Sequence, residues 1–422
     1  MSLINEMRNF VSKEKLGSEN YYIPVYSTGF DIVDYRNGRI ENGDFNVGIN
    51  GGKIFTVIGK SGSGKSTFAI QTAINIAKQY EESQIIHLDF ERSTNAARIQ
   101  ALSGWDEETL NNKYMLLNRD ISTEKTYKLI KGIGNLKREQ TNFEKLKIDT
   151  GMKDANGDTI YALPPTIVLI DSWATMIPED IEDEKELSGS MSASSIAKTN
   201  NALIKRISGT LESANIILII INHITQKIEI GFTKTQAQVN YLKQDETLPG
   251  GSSCIYLADT LLKLVTSTKL DESDGLGIKG FQVIGEFAKT RSNEAGRKFD
   301  MVFSQTNGFS NVLSNFINLK NAGYLKGNGR AYYFDNLPDF KFTQKNFLEK
   351  YNESEEFRKA IDENVKELYK TYIPTPDNIE DNSSNEEEDV YLEELVDEEN
   401  NIWRGSDGNY YTEDGEPVEY EE

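Results

Sequence analysis

A strand, a glycine-rich turn and a helix follow one another between residues 53 and 77, and this run constrains the chain more than any other. Lys53-Ile54-Phe55-Thr56-Val57-Ile58 is apolar and β-branched, as a buried strand requires. Gly59-Lys60-Ser61-Gly62-Ser63-Gly64-Lys65-Ser66 then reads G-x-x-x-x-G-K-S. From Thr67 to Ala77 apolar residues recur at helical spacing, so a helix is expected over 65–80. A P-loop for nucleoside triphosphates needs this order of elements. Its glycines let successive backbone N–H groups point at phosphate oxygens, and the helix presents its positive N-terminal end to the same anion. Gly59 to Thr67 are therefore the candidate ATP cradle. Within it Lys65 reaches the β- and γ-phosphates and the Ser66 hydroxyl ligates Mg²⁺.

Downstream, apolar strands alternate with helical stretches. Strands are expected at 84–89, 166–170 and 215–221, and helices near 94–103, 122–138 and 193–213. Two further apolar runs, 260–266 and 280–288, read as strands. This alternation implies an α/β fold with a mainly parallel, twisted sheet covered by helices on both faces. Ligands in such sheets sit at the carboxyl ends of strands. Three candidates for chemistry fall there: the P-loop, Glu91 and Asp171. Ile167-Val168-Leu169-Ile170-Asp171-Ser172 is a strand ending in a carboxylate, suited to holding Mg²⁺. Glu91 follows the strand at 84–89, where a carboxylate either orients an attacking water or is a solvated loop residue. Asn222-His223 ends an all-aliphatic strand. A polar side chain there senses a γ-phosphate, or His223 is a core histidine with its hydrogen bond satisfied. His87 lies inside a strand and reads as structural.

Charge is unevenly placed. Of the net −21, residues 377–422 carry −18, with 19 acidic residues against Arg404 alone, so the body is close to neutral. The acidic total therefore does not argue against nucleic-acid binding by the body. Pro374 and Pro376 mark a boundary, and the tail beyond is expected to be disordered. It either solvates the end of the chain or competes with DNA for the body's basic surface. If it competes, deleting residues 377–422 strengthens duplex binding at low salt, which a titration of both forms would measure; unchanged affinity rejects the competition. Cys254 is the lone cysteine, so an intrachain disulfide is impossible and a reducing, cytoplasmic setting fits. The longest aliphatic run, Ile216 to Ile221, is too short to span a membrane. With only His87 and His223, a multi-histidine metal site is not expected.

These residues, in this order, resemble the RecA family of recombinases, most nearly its phage UvsX-like members. Ser27-Thr28-Gly29 with Asp34 resembles the family's Ser-Thr-Gly…Asp stretch before the P-loop. Glu91 falls where the family places its catalytic glutamate, and Asn222-His223 where UvsX-like proteins have Asn-His. Lys289-Thr290-Arg291 resembles the Lys-x-Lys/Arg pair that the family offers to ATP on the neighbouring subunit. The likeness covers residues 23–310 with specific motifs and runs more loosely to about 373. A hairpin-like insertion at 139–165, with a turn at 154–158, departs from it.

The resemblance implies a RecA-like P-loop ATPase core with four parts: an N-terminal oligomerisation segment with a short helix (1–35), the core with its DNA-binding loops (36–310), a small α+β C-terminal domain (311–376), and the disordered acidic tail (377–422). It implies ATP and Mg²⁺ as cofactors, with Lys65, Glu91, His223, Lys289 and Arg291 catalytic and Ser66 and Asp171 at the metal. It implies two DNA-binding loops. The first offers Ser188, Gly189, Ser190, Met191 and Ser192, with Lys198 and Arg206 on the helix after it. The second offers Lys227, Phe232, Lys234, Tyr241, Lys243, Gly250 and Gly251. Cations for phosphates and apolar faces for bases are what single-strand binding needs; the bland alternative is a pair of solvated surface loops. The implied activity is homologous pairing and strand exchange by a helical filament on single-stranded DNA, with DNA-stimulated ATP hydrolysis. Its partners would be homologous duplex DNA and further copies of the chain, and it admits a single-strand-binding protein and a mediator. The implied setting is the cytoplasm of a phage-infected bacterial cell, with no membrane role. A hexameric replicative helicase on the same fold, and a non-hydrolysing mediator, are the alternatives.

Overall fold

The computed structural model describes residues 23–41, 43–153, 158–182, 190–226, 241–243, 246–271, 275–328 and 331–375, with four short stretches of the tail (392–397, 402–405, 410–412 and 417–418). The N-terminal helix expected over residues 1–20 lies outside the described residues. The chain divides into two compact units, Met1–Ile373 and Pro374–Glu422.

Nine strands of the first unit make one sheet: β1 (Ile54–Gly59), β2 (Gln84–Asp89), β3 (Tyr114–Leu117), β4 (Thr166–Asp171), β5 (Ile216–His223), β6 (Thr260–Leu270), β7 (Gly280–Lys289), β8 (Lys298–Ser304) and β9 (Gly308–Ser310). Their order is β9-β8-β7-β6-β1-β5-β4-β2-β3. The six strands from β6 to β3 pair in parallel, and β7, β8 and β9 extend the sheet antiparallel. The chain is thus the α/β fold that the alternation of strands and helices predicts. It is the RecA-like arrangement, in which β5 separates the P-loop strand β1 from β4.

The principal helices are α1 (Lys65–Lys78), α2 (Ala96–Ser103), α3 (Thr123–Arg138), α4 (Ser190–Ser213), α5 (Asn311–Asn321) and α6 (Glu355–Lys370). β1 and β4 are buried at every position, and β5 at every position before His223. The pleat sends alternate residues to opposite faces. Phe55, Val57, Ile167, Leu169, Ile217 and Ile219 pack towards α1, and Ile58, Val168, Ile170, Leu218 and Ile220 towards α4. The α1 cluster runs on into Phe309, Leu313, Phe316, Phe334, Phe347 and Phe357, so the residues after 310 share a core with the helix that follows the P-loop.

The structure corrects two expectations, on α4 and the tail, and adds detail to a third, on the insertion. α4 begins at Ser190, not 193, so Ser190, Met191 and Ser192 open a helix in place of ending a loop. The insertion has the expected hairpin, Ile148–Lys153 with Thr159–Ala162, preceded by a short helix, Gln140–Leu146. The tail is not wholly disordered: Leu392–Asp397, Ile402–Gly405, Tyr410–Thr412 and Pro417–Val418 pair as a four-stranded antiparallel sheet. Averaged composition hid this, because β-favouring residues concentrate locally in Leu395-Val396, Ile402-Trp403 and Tyr410-Tyr411.

Where the insertion rejoins the sheet, the buried Lys137 ammonium donates to the carbonyls of Pro164 (2.7 Å) and Asn215 (3.4 Å) and to the Thr166 hydroxyl (2.9 Å). Burial lowers this lysine to about 7. Its unfolded value is about 10.4, so between those limits the unfolded chain binds more protons and stability rises with pH. Comparing wild type with Lys137→Met by urea unfolding from pH 7 to 9 should expose a difference growing by up to about 1 kcal/mol per pH unit. Parallel curves would show that Lys137 does not titrate there.

Candidate nucleotide site

The phosphate loop is shaped by close approach. Gly62 and Gly64 have φ of +79° and +83°, a region that side chains rarely adopt. At Gly59 a Cβ would come within 2.5 Å of the Leu264 carbonyl oxygen of β6. Behind the loop, Gln71 of α1 holds Phe309 of β9 by two backbone hydrogen bonds, at 2.8 and 3.1 Å. Ser61 and Gly62 are exposed, Ser66 and Thr67 half-buried, and Ser63 and Lys65 buried. The Lys65 ammonium donates to the Lys60 carbonyl at 2.8 Å. Burial lowers Lys65 to about 8, against the pull of Asp171 and Glu91. A cation so poorly solvated gains strongly from meeting a phosphate.

Three carboxylates gather at the ends of β2 and β4. Asp171 is fully buried and both its oxygens lack a hydrogen-bond partner. Burial pushes its carboxyl up to about 7; Glu91 and Asp89 add to this, and the Ser66 hydroxyl and Lys65 oppose it. A buried, unpartnered carboxylate beside a serine hydroxyl fits a hard divalent cation, with Asp171 and Ser66 supplying oxygens and phosphates and waters the rest. When bound, the metal neutralises charge on the phosphates. Asp89 does different work: its oxygens accept the N–H groups of Ser93 (3.3 Å) and Thr94 (2.8 Å), fixing the turn that carries Glu91.

Glu91 is placed by backbone and side chain. The Phe90 and Glu91 N–H groups both donate to the Asp171 carbonyl, at 2.6 and 3.2 Å. Glu91 Oε1 lies 2.6 Å from His223 Nε2. Burial raises the Glu91 carboxyl, but hydrogen bonds from Ser172 and His223 and the charges of His223 and Lys65 outweigh this and hold it below the ordinary value. An ionised carboxylate at this rim can accept a proton from, or orient, a water attacking the terminal phosphate. His223, where β5 ends beside Gly59, reaches it because the pleat turns the preceding residue the other way. That residue, Asn222, is buried and donates to the Pro249 carbonyl at 3.0 Å, so it is a strut and not a phosphate sensor. His87 is buried against the Tyr114 hydroxyl at 2.8 Å, in keeping with a structural part. The sequence reading missed Ser172 as a partner of Glu91 and Asp89 as the brace of its turn; an Asp two residues before Glu91 and a Ser after Asp171 were its only signals.

The remaining candidates are dispersed. Lys289 donates to the carbonyls of Ile255 (3.2 Å) and Tyr256 (2.7 Å). It ends β7, where it pairs with Leu261 beside Thr56, towards the rim where the parallel strands begin. Lys289 and Arg291 therefore lie away from the chain's own phosphate loop. Lys198 and Arg206 are exposed on α4. Ser188, Gly189, Lys227, Phe232 and Lys234 lie outside the described residues. Tyr241 is half-buried, with its hydroxyl enclosed and unpartnered, and Lys243 is exposed. Gly250 and Gly251, at φ +85° and +99°, pack against Trp173 and Ala197. A Cβ on Gly250 would lie 2.8 Å from the Trp173 carbonyl oxygen. Gly250→Ala is thus expected to cost about 2 kcal/mol or more, read as a fall in thermal midpoint; an unchanged midpoint would contradict this packing.

Residues 37–201 match the protein family described as "ATPase: KaiC". This segment is thus similar to KaiC-type ATPase domains. It has the RecA-type P-loop fold, and it contains Lys65, Glu91 and Asp171. The match covers less than half of the chain, and His223, residues 224–251 and Lys289 lie beyond it. No curated protein matches the sequence. Among the described residues no helix is long and apolar enough to cross a membrane.

Proposed function

We propose that this ATPase is a DNA recombinase of the RecA type, close to the UvsX-like proteins, that forms helical filaments on single-stranded DNA and exchanges strands. The Glu91–His223 hydrogen bond carries this reading. It joins Glu91, in this reading the carboxylate that activates water, to β5, and β5 leads directly into Thr225–Gln226 and the residues up to Gly251. A change at the terminal phosphate therefore has a short covalent route to the segment resembling the second DNA-binding loop. A second support is α4, which follows the first such segment. It exposes Lys198 and Lys205, cations of the kind that a phosphate backbone needs.

In this reading Lys65 and Ser66 hold phosphate and metal, Asp171 completes the metal's oxygens, and Glu91 orients water. Lys289 and Arg291 approach nucleotide on the next subunit, where cations stabilise charge on the transferring group. Bases, not side chains, read homology. The test is electron microscopy of the full chain on circular single-stranded DNA with Mg²⁺ and a slowly hydrolysed ATP analogue. Continuous helical filaments that need nucleotide are expected; six-fold rings would transfer the chain to the helicases.

A further inference from the structure

Lys60 reaches out of the phosphate loop. Its ammonium lies 3.3 Å from Glu246 Oε1, and the Glu246 side chain is 4% exposed where that of Lys60 is 59% exposed. The acid is held firmly: its other oxygen accepts the Lys243 N–H at 3.1 Å, and its own N–H donates to the Lys243 carbonyl at 3.0 Å. Glu246–Thr247 pairs antiparallel with Thr225–Gln226, just after His223. These two short strands are the stem through which the chain leaves β5 and returns towards β6.

Lys60 also meets the lysine of the phosphate loop. Its carbonyl accepts the Lys65 ammonium at 2.8 Å. A multiply charged phosphate competes for that ammonium far better than a neutral carbonyl does. Binding therefore draws Lys65 off Lys60, whose carbonyl then keeps the longer bond from the Ser63 N–H, at 3.3 Å. The side chain of the same residue is fastened to a nearly immovable buried acid.

We propose that the Lys60–Glu246 ion pair is the tie through which an occupied phosphate loop acts on the 225–226/246–247 stem, with Glu246 as a positioning residue. This rests on nucleotide binding by the P-loop and not on the DNA reading. Lys263 of β6 supplies an internal control: it holds the same limb by donating to the Tyr241 carbonyl at 2.6 Å, without belonging to the phosphate loop.

The experiment is hydrogen exchange on the full chain, with and without Mg²⁺ and a slowly hydrolysed ATP analogue, following peptides over the P-loop and over the two stem strands. In wild type both regions slow, the stem by about tenfold. In Glu246→Gln, which keeps the shape and the Lys243 contact, the P-loop slows as before and the stem by less than about twofold. Lys263→Met retains both responses. Lys60→Met reads the tie from its other end, should Glu246→Gln fold poorly. Undiminished slowing of the stem in these tie variants overturns the proposal, as does a wild-type stem that ignores nucleotide while the P-loop responds. A P-loop that does not respond in wild type overturns nucleotide binding itself, and the proposal with it.

Discussion

Glu91→Gln is expected to bind Mg²⁺ and ATP with near-normal affinity and to hydrolyse ATP about a thousandfold more slowly than wild type. The substitution is nearly isosteric, so it preserves the two backbone hydrogen bonds to Asp171 and the reach towards His223. What it removes is the proton acceptor. Wild-type Glu91 is held ionised by Ser172, His223 and Lys65 against the effect of burial, whereas an amide accepts no proton. If the chain is a recombinase, the variant should also remain on single-stranded DNA after ATP is added, since release follows hydrolysis. Steady-state turnover with a parallel nucleotide titration separates the two terms. Turnover within a few-fold of wild type would remove Glu91 from the reaction.

Asp171→Asn should have two effects of opposite sign. Hydrolysis is expected to fall by on the order of a hundredfold or more, because the metal loses an ionised oxygen. The nucleotide-free protein is expected to become more stable, by roughly 1–2 kcal/mol. Asp171 is buried, unpartnered and crowded by Glu91 and Asp89, and without a cation each folded molecule bears that repulsion. An amide of the same shape relieves it. Thermal unfolding in chelator should therefore favour the variant, while Mg²⁺ with an ATP analogue raises the wild-type midpoint more than the variant's. A variant less stable than wild type in chelator would mean that the carboxylate has a partner in the metal-free protein.

Much of this site could be read from the sequence because its parts are local. The P-loop binds phosphate with its own backbone, and Asp171 and Glu91 lie at or just past strand ends that apolar runs announce. The less legible parts depend on distant residues. Asn222 and His223 are adjacent and equally polar, and only the pleat separates a strut to Pro249 from a partner of Glu91. Gly250 and Gly251 suit a flexible loop by composition, yet they are close contacts with Trp173 and α4 that no local pattern marks. Glu246 is one acid among many until the fold brings Lys60 to it. The tail misled by its mean: nineteen acids outweigh a few aromatic and β-branched residues whose spacing forms strands.

Strand order has a consequence for how this protein can be divided. Residues 37–201 carry the nucleotide motifs and the family likeness, and they include β1 to β4. Yet β1 lies between β5 and β6, and both come later in the chain. A fragment cut at the limit of the likeness would hold the phosphate loop on a strand with two bare edges, separated from β4 by a missing strand. The stretch that advertises the chemistry is therefore shorter than the stretch that can support it. A working transplant of this ATPase must carry the chain at least through β6, and with it the stem that Lys60 grips.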